Sequence, residues 1–178
     1  MTQRIICSGF GGQGVMLIGQ VMAYAGMIED KEVSWLPSYG PEMRGGTANC
    51  NVIISDEPVG APTVNDADVV IVMNKPSLDR FEKSVVPKGS LFINSSLIDK
   101  KSDRDDIDVY YVPANEIGAK LGNPKVANVV ILGAYLEKCG VIKQESIIEG
   151  LKKVLGEKKA KFIPLNKQAV EEGSKSVK

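Results

Sequence analysis

Apolar residues form short uninterrupted runs and longer helical runs that alternate along the chain. Arg4–Cys7 is a short strand candidate, and the mostly apolar stretch Val15–Ile28 predicts a buried helix. A second strand is predicted at Glu32–Leu36, and the order strand, turn, helix, strand is how a parallel α/β sheet begins. Val69–Met73 is a continuous apolar run, which is typical of a strand buried on both faces, so we expect it at the centre of the sheet.

The rest of the chain continues the alternation of strands and helices. Further strands are predicted at Thr47–Ser55, Ser90–Ile93 and Val109–Val112, and further helices at Ser77–Val85, Pro113–Leu121, Val126–Lys138 and around 147–155. This order predicts an α/β fold with a doubly wound, mainly parallel sheet and helices on both faces. Because no repeat or linker interrupts the pattern, residues 1–178 are read as a single domain, whose polar tail from about residue 164 is helical with a frayed end.

Composition limits the chemistry that the chain could carry out. The 178 residues include 22 Lys and Arg, 22 Asp and Glu, and no His, so there is no broad field for nucleic acid or a membrane surface and no histidine base. Cys7, Cys50 and Cys139 are too far apart for a zinc or iron–sulfur site, and we expect reduced thiols in a cytoplasmic protein. The sequence shows no secretory segment and no membrane-spanning run, and we predict no catalytic residue and no metal ligand.

A glycine-rich turn follows the first strand and supplies candidate cofactor-binding residues. Gly9, Gly11 and Gly14 fit the pattern GxGxxG, and Gly12 and Gln13 lie between them. Glycines permit positive φ and close approach of the backbone, and the helix start offers free N–H groups to an anion. A dinucleotide site also needs an acidic residue near the end of the second strand, which is missing here. Three interpretations stay open: a dinucleotide site, a structural turn, and a site for an anion or a partner's loop.

The segment Ser38–Asn49 is the most unusual loop of the sequence, because it is rich in glycine and carries an arginine. Arg44 precedes Gly45 and Gly46, and a guanidinium beside accessible backbone amides suits a carboxylate or a phosphate, so Arg44 is a further candidate for cofactor binding. The alternative is that Glu42 pairs with Arg44 and only fixes the loop.

The same loop supplies the residues that we expect to contact a partner, since exposed aromatic and methionine side chains are enriched at interfaces. The candidates are Tyr39, Pro41, Glu42, Met43 and Arg44. The glycine-rich turn follows the first strand and this loop follows the second. We expect these two strands to be neighbours in the sheet, so that the turn and the loop lie side by side at its carboxyl end.

Several of these segments, taken in order, resemble a known family. They are Gly9–Val15, Ser38–Asn49, Met73-Asn74-Lys75-Pro76 and Asn123-Pro124-Lys125-Val126-Ala127-Asn128. Together they are similar to the gamma subunit of 2-oxoacid:ferredoxin oxidoreductases over residues 4–155, and the string Tyr39–Gly46 is the most specific part. The likeness is closer to the 2-oxoglutarate and branched-chain 2-oxo acid members than to the pyruvate members.

The resemblance implies a Rossmann-like gamma subunit that is not active alone. Enzymes of this family oxidatively decarboxylate a 2-oxo acid, transfer the acyl group to coenzyme A and pass electrons to ferredoxin. Thiamine diphosphate, Mg²⁺ and iron–sulfur clusters belong to the complex and not to this chain. The implied partners are alpha, beta and ferredoxin-like delta subunits, and the implied role is to support assembly and the coenzyme A cleft.

One position departs from the family pattern, and one alternative function remains. Single-chain members carry a lysine soon after the glycine-rich turn, where this sequence has Gln20, so a coenzyme A contact is not carried over to it. The alternative is a stand-alone nucleotide-binding or regulatory module that uses only the GxGxxG turn. Which 2-oxo acid is used does not follow from this sequence, because substrate contacts would lie mainly on other chains.

Overall fold

The structure is a computed structural model that describes residues 1–38 and 47–178. Its strands are β1 (Thr2–Phe10), β2 (Glu32–Ser38), β3 (Thr47–Ser55), β4 (Ala67–Val72), β5 (Val85–Asn94) and β6 (Asp108–Val112). Its α-helices are α1 (Val15–Ile28), α2 (Lys75–Phe81), α3 (Ala114–Lys120), α4 (Ala127–Cys139), α5 (Gln144–Leu155) and α6 (Ile163–Lys175). Short 3-10 segments lie at Glu82–Ser84, Pro124–Val126 and Glu157–Phe162. No helix in the described ranges is long and apolar enough to span a membrane.

The six strands form one sheet in the order β2-β3-β1-β4-β5-β6. Strands β1, β4, β5 and β6 pair in parallel, whereas β3 runs antiparallel to both of its neighbours, β1 and β2. The predicted α/β fold with a mainly parallel sheet is therefore confirmed. The central position of Val69–Met73 is confirmed as well, because β4 lies between β1 and β5 and every residue of this run is buried.

One topological expectation is wrong. The second strand was expected beside the first, but β3 lies between them, with Cys7 opposite Cys50 on one side and Trp35 opposite Val52 on the other. The physical reason is that β2 and β3 follow each other closely in the chain and pair as antiparallel neighbours, which needs no crossover helix. This hairpin occupies the sheet position that a second parallel strand would otherwise take.

Apolar side chains cover both faces of the sheet, but the two layers differ in thickness. On one face α1 and α4 lie on the sheet, and α5 and α6 pack on these two helices. On the other face the short helix α2 and its flanking loops bury Ile6, Val70 and Leu91. Helices on both faces are thus confirmed, with most of the helical mass on one side.

The polar tail of the chain forms the helix α6, and the middle of this helix packs against α4. In α6, Ala169 and Val170 are fully buried. A Cβ on Gly133 of α4 would overlap the carbonyl oxygen of Val170, and a Cβ on Gly173 of α6 would overlap that of Val130. The two helices therefore approach each other backbone to backbone, a contact that the polar composition of the tail conceals.

Candidate functional site

The candidate site lies at the carboxyl ends of β1 and β4. The chain leaves β1 through α1 toward β2, and it leaves β4 through α2 toward β5 on the opposite face. The two strand ends are joined where the Met73 backbone N–H donates a 2.9 Å hydrogen bond to the carbonyl of Ser8. In open α/β sheets this reversal of direction is where ligands bind, in the crevice beyond the strand ends.

The backbone of the predicted turn depends on two glycines in the left-handed region. Gly12 has φ 91° and Gly14 has φ 76°, conformations that cost an L-residue with a side chain free energy. Gly9 has no room for a side chain, because an added Cβ would lie 2.9 Å from the Cβ of Met73. The turn thus brings the β1 end against the β4 end.

Gln13 fixes the turn with both ends of its amide. Its Oε1 accepts a 2.6 Å hydrogen bond from the Phe10 backbone N–H, and its Nε2 donates to the Met73 carbonyl at 3.2 Å. Gly11 and Gly12 are exposed, and a Cβ on Gly12 would meet no atom within 4 Å. The structural interpretation of the turn therefore accounts for Gly9, Gln13 and Gly14 and for the left-handed backbone of Gly12, whereas the exposed Gly11 and Gly12 leave backbone accessible to solvent.

Asn128, at the start of α4, holds the turn from the other side. Its Nδ2 donates a 3.1 Å hydrogen bond to the Gly14 carbonyl, 114 residues earlier in the chain, and the side chain is buried. Sequence reasoning did not assign Asn128 to the site. The available signal was a polar residue that interrupts the apolar region around Val126–Leu136.

Asn74, two residues after β4 and at the N-cap of α2, joins the crevice to that helix. Its Oδ1 accepts a 2.9 Å hydrogen bond from the Ser77 backbone N–H and caps the helix, while the Ser77 hydroxyl bonds to that of Ser8 at 2.8 Å. The Nδ2 of Asn74 is buried and has no hydrogen-bond partner within the described part of the chain. The bond to the Ser77 N–H explains why an asparagine stands at the N-cap of α2.

Two clefts flank the glycine-rich turn. The smaller, of about 240 Å³, is lined by Gly12, Gln13, Met73, Asn115, Pro124, Lys125 and Ala127. The larger, of about 340 Å³, is lined by Phe10, Gly11, Gly12, Gly14, Val15, Met16, Leu17, Gln20 and Ala48. Among the residues that line them, Lys125 is the single charged one, and it was not selected as a site residue from the sequence. The clefts therefore offer exposed glycine backbone, apolar walls and one cation.

The topology argues against a dinucleotide site at this turn. In such sites the acidic residue that binds the ribose stands at the end of the strand next to β1. Here β2 is two strand positions away, roughly 10 Å at normal strand spacing, and it ends in Leu36, Pro37 and Ser38. The described residues thus do not build the ribose clamp that a nucleotide-binding module would use.

The buried thiols are not poised for chemistry. A hydrogen bond with Cys50, together with burial, raises the pKa of the Cys7 thiol well above its usual range, and burial raises the pKa of Cys139 to about 11. Within residues 1–38 and 47–178, no group of three His, Cys, Asp or Glu side chains could hold a metal ion.

Five predicted residues, Tyr39, Pro41, Glu42, Met43 and Arg44, lie outside the described residues. The residues on either side of the segment are described: Ser38 pairs with Asn49, and Thr47 pairs with Phe10 at the end of β1. The residues that flank the segment therefore lie at the same end of the sheet as the glycine-rich turn, where β1 and β2 end and β3 begins. That the loop and the turn share one site stays a prediction.

The chain is similar to known proteins in both sequence and fold. The family model for pyruvate ferredoxin/flavodoxin oxidoreductase matches residues 4–176. The ketoisovalerate oxidoreductase subunit VorA of Methanothermobacter thermautotrophicus is 38% identical over 173 residues, which are 96% of this chain and 35% of VorA. The chain thus spans about a third of the length of that relative. The 2-oxoglutarate synthase subunit KorC of Methanocaldococcus jannaschii is 33% identical over 83% of this chain and 80% of KorC.

Solved structures agree with these relatives. The keto/oxoacid ferredoxin oxidoreductase gamma subunit from Geobacter sulfurreducens has a TM-score of 0.81 at 30% identity and covers 98% of both chains. A 2-oxoglutarate:ferredoxin oxidoreductase from Magnetococcus marinus, with 2-oxoglutarate, coenzyme A and succinyl-CoA bound, has a TM-score of 0.88 at 22% identity and matches 99% of this chain to 31% of its own. The second likeness shows a shared fold.

Proposed function

The chain belongs to the pyruvate ferredoxin/flavodoxin oxidoreductase family, and on that premise we propose that it is the gamma subunit of a 2-oxoacid:ferredoxin oxidoreductase. The observation that carries the proposal is the match to the Geobacter gamma subunit, which extends over 98% of both chains. Its relatives are subunits of oxidoreductases, so we assign the activity to the assembled complex and not to this chain alone.

The cofactors of the proposed reaction are divided among several chains. A four-iron cluster takes four cysteine thiolates, whereas this sequence has three cysteines, two of which face each other in the core between β1 and β3. We therefore place the iron–sulfur clusters, thiamine diphosphate and Mg²⁺ on the alpha, beta and delta partners, with ferredoxin as the electron acceptor. When bound there, these groups supply the decarboxylation and the electron transfer.

The part that this chain plays in the site is to bind an anionic portion of coenzyme A. Exposed Gly11 and Gly12 and the first turn of α1 offer backbone N–H groups, and Lys125 adds a positive charge in the adjoining cleft. The phosphates of coenzyme A have the charge that this environment favours. Arg44 would add a guanidinium, and Tyr39, Pro41, Glu42 and Met43 would contact a partner subunit.

The proposed substrate is 2-oxoglutarate or a branched-chain 2-oxo acid. Support comes from the two relatives, one a ketoisovalerate oxidoreductase subunit and the other a 2-oxoglutarate synthase subunit. Their similar identities, 38% and 33%, do not separate the two substrates, so both belong in the assay.

The proposal is tested by producing the chain alone and together with alpha, beta and delta subunits from the same organism. We expect the isolated chain to be colourless, free of iron and inactive with 2-oxo acids and methyl viologen. We expect the co-expressed chain to co-purify in a brown, active complex. Stoichiometric iron or turnover in the isolated chain would show that the subunit assignment is wrong, as would failure to co-purify.

A further inference from the structure

Helix α1 carries no charge on any side, and Gln20 is its one strongly polar side chain, which is unusual for a helix with a solvent-facing side. Its 14 residues, Val15–Ile28, include no charged side chain. A helix that is apolar all round is normally buried, because a helix at the surface keeps polar and charged residues on its outer face. The composition of α1 therefore predicts that something covers it.

In the structure the outer face of α1 is open. Ile18, Met22 and Ala25 are buried, and Gly150 of α5 packs against the Val21 backbone along one flank. The side that points away from these contacts carries Tyr24, Met27 and Ile28, which are 43%, 57% and 45% exposed. Tyr24 reaches Met27 and Ile28 at the i,i+3 and i,i+4 spacing of one helix face.

The other long helices on this side of the sheet differ from α1 in the residues that they expose to solvent. Helix α4 is mostly apolar from Ala127 to Tyr135, and over this stretch it is buried between the sheet and α6. Helix α5 keeps Glu145, Lys152 and Lys153 on its surface. Only on α1, among the helices of the described ranges, does a cluster of large exposed apolar side chains occur.

The outer face of α1 is continuous with the candidate site. The helix is about 21 Å long at 1.5 Å per residue, and its first turns supply Met16, Leu17 and Gln20 to the 340 Å³ cleft beside the glycine-rich turn. A partner polypeptide that packed along α1 would therefore also cover the open side of that cleft. Binding of the partner to α1 would then also complete the cleft beside the glycine-rich turn.

The relatives indicate which polypeptide covers the outer face of α1. The matched region is 35% of the ketoisovalerate relative and 31% of the Magnetococcus chain, so in those proteins about twice as much polypeptide accompanies this domain. We propose that the outer face of α1 docks the polypeptide that corresponds to the remainder of those relatives, through an uncharged, apolar surface on that partner. This inference rests on the proposed function.

The test introduces a charge on the face without harming the helix. Tyr24→Lys and Met27→Lys place a good helix former near the carboxyl end of α1, where a cation is favourable. Phe162→Lys is the matched control, because Phe162 is 40% exposed, close to the 43% of Tyr24, but lies on the 3-10 segment Glu157–Phe162. Each variant is co-expressed with a tagged alpha subunit and its partners, and the amount recovered per alpha subunit is measured.

We expect wild type and Phe162→Lys to be recovered equally, and both α1 variants to drop by about tenfold or more, as for a central interface residue. Melting curves of the isolated variants should match wild type. Full recovery of Tyr24→Lys and Met27→Lys would overturn the docking proposal while leaving the proposed function intact. If wild type itself is not recovered, the proposed function fails too. If the isolated chain is a dimer that Tyr24→Lys disrupts without affecting the complex, the occupant is a second copy and the proposal is wrong.

Discussion

Substitution of Gly14 tests how Asn128 packs on the glycine-rich turn. Gly14 has a left-handed backbone, with φ 76° and ψ 22°, and a Cβ there would lie 2.8 Å from Cγ of Asn128 and overlap its amide nitrogen. Gly12 is also left-handed, at φ 91°, but a Cβ on it would meet nothing within 4 Å. The two glycines therefore separate backbone strain from steric overlap.

The expected costs follow from these two contributions. Gly12→Ala should lower the free energy of unfolding by about 1–2 kcal/mol, the cost of a left-handed L-residue. Gly14→Ala should cost about 2–5 kcal/mol, because overpacking against a buried neighbour adds about 1–3 kcal/mol. Asn128→Ala should cost about 1 kcal/mol for its hydrogen bond, since the Gly14 carbonyl keeps its bond from the Ile18 N–H at 3.2 Å.

The decisive variant combines Gly14→Ala with Asn128→Ala. Removing the Asn128 side chain makes room for the new Cβ, so the double variant should cost about 2–3 kcal/mol, less than the sum of the single variants. Urea unfolding of wild type, the two single variants Gly14→Ala and Asn128→Ala, and the double variant measures this coupling. Each 1 kcal/mol of lost stability should also lower Tm by roughly 2–4 °C in a chain of this size. Additive costs, or equal costs for Gly12→Ala and Gly14→Ala, would refute the packing of Asn128 on the turn.

Two further predictions concern ligand use and helix packing. Arg44→Ala should leave folding intact, and in the assembled enzyme it should raise the KM for coenzyme A or lower kcat by roughly 10- to 150-fold, the loss of ~1.5–3 kcal/mol from one charged hydrogen bond. Unchanged kinetics would reject the ligand role, and a complex that fails to assemble would favour the interface role. Gly133→Ala should destabilise the isolated chain by more than about 2 kcal/mol in urea unfolding, because its Cβ would overlap the Val170 carbonyl. Gly60→Ala is the control, because a Cβ on Gly60 would meet no atom within 4 Å, and it should change the free energy of unfolding by less than about 0.5 kcal/mol.

The sequence was a good guide to local structure because its signals are local. The bounds predicted for α1, Val15–Ile28, and for β3, Thr47–Ser55, match the structure, since apolar spacing and flanking glycines act over a few residues. The position of β3 between β1 and β2 could not be predicted in this way, because strand pairing joins residues such as Cys7 and Cys50 that are distant in the chain. The packing of α6 on α4 could not be predicted for the same reason, since it joins two separate segments of the chain.

The candidate site was predicted only in part, and the missing part is tertiary. The glycines of the turn were found because GxGxxG after a strand has a known backbone meaning. The role of Asn128 was not, because its contact with Gly14 spans 114 residues and appears only once α4 is packed beside α1. Lys125 entered the site through the same packing, in a cleft that it shares with Gly12 and Met73.

The central claim is that this chain is a necessary subunit of a 2-oxoacid:ferredoxin oxidoreductase, and one reconstitution tests it most directly. Partner subunits purified without this chain are titrated with it, and coenzyme A-dependent reduction of ferredoxin is followed with 2-oxoglutarate and with a branched-chain 2-oxo acid. We expect activity with one of these substrates to rise with added chain and to saturate at a fixed stoichiometry. Full activity without the chain, or no activity at any ratio in an assembled complex, would contradict it.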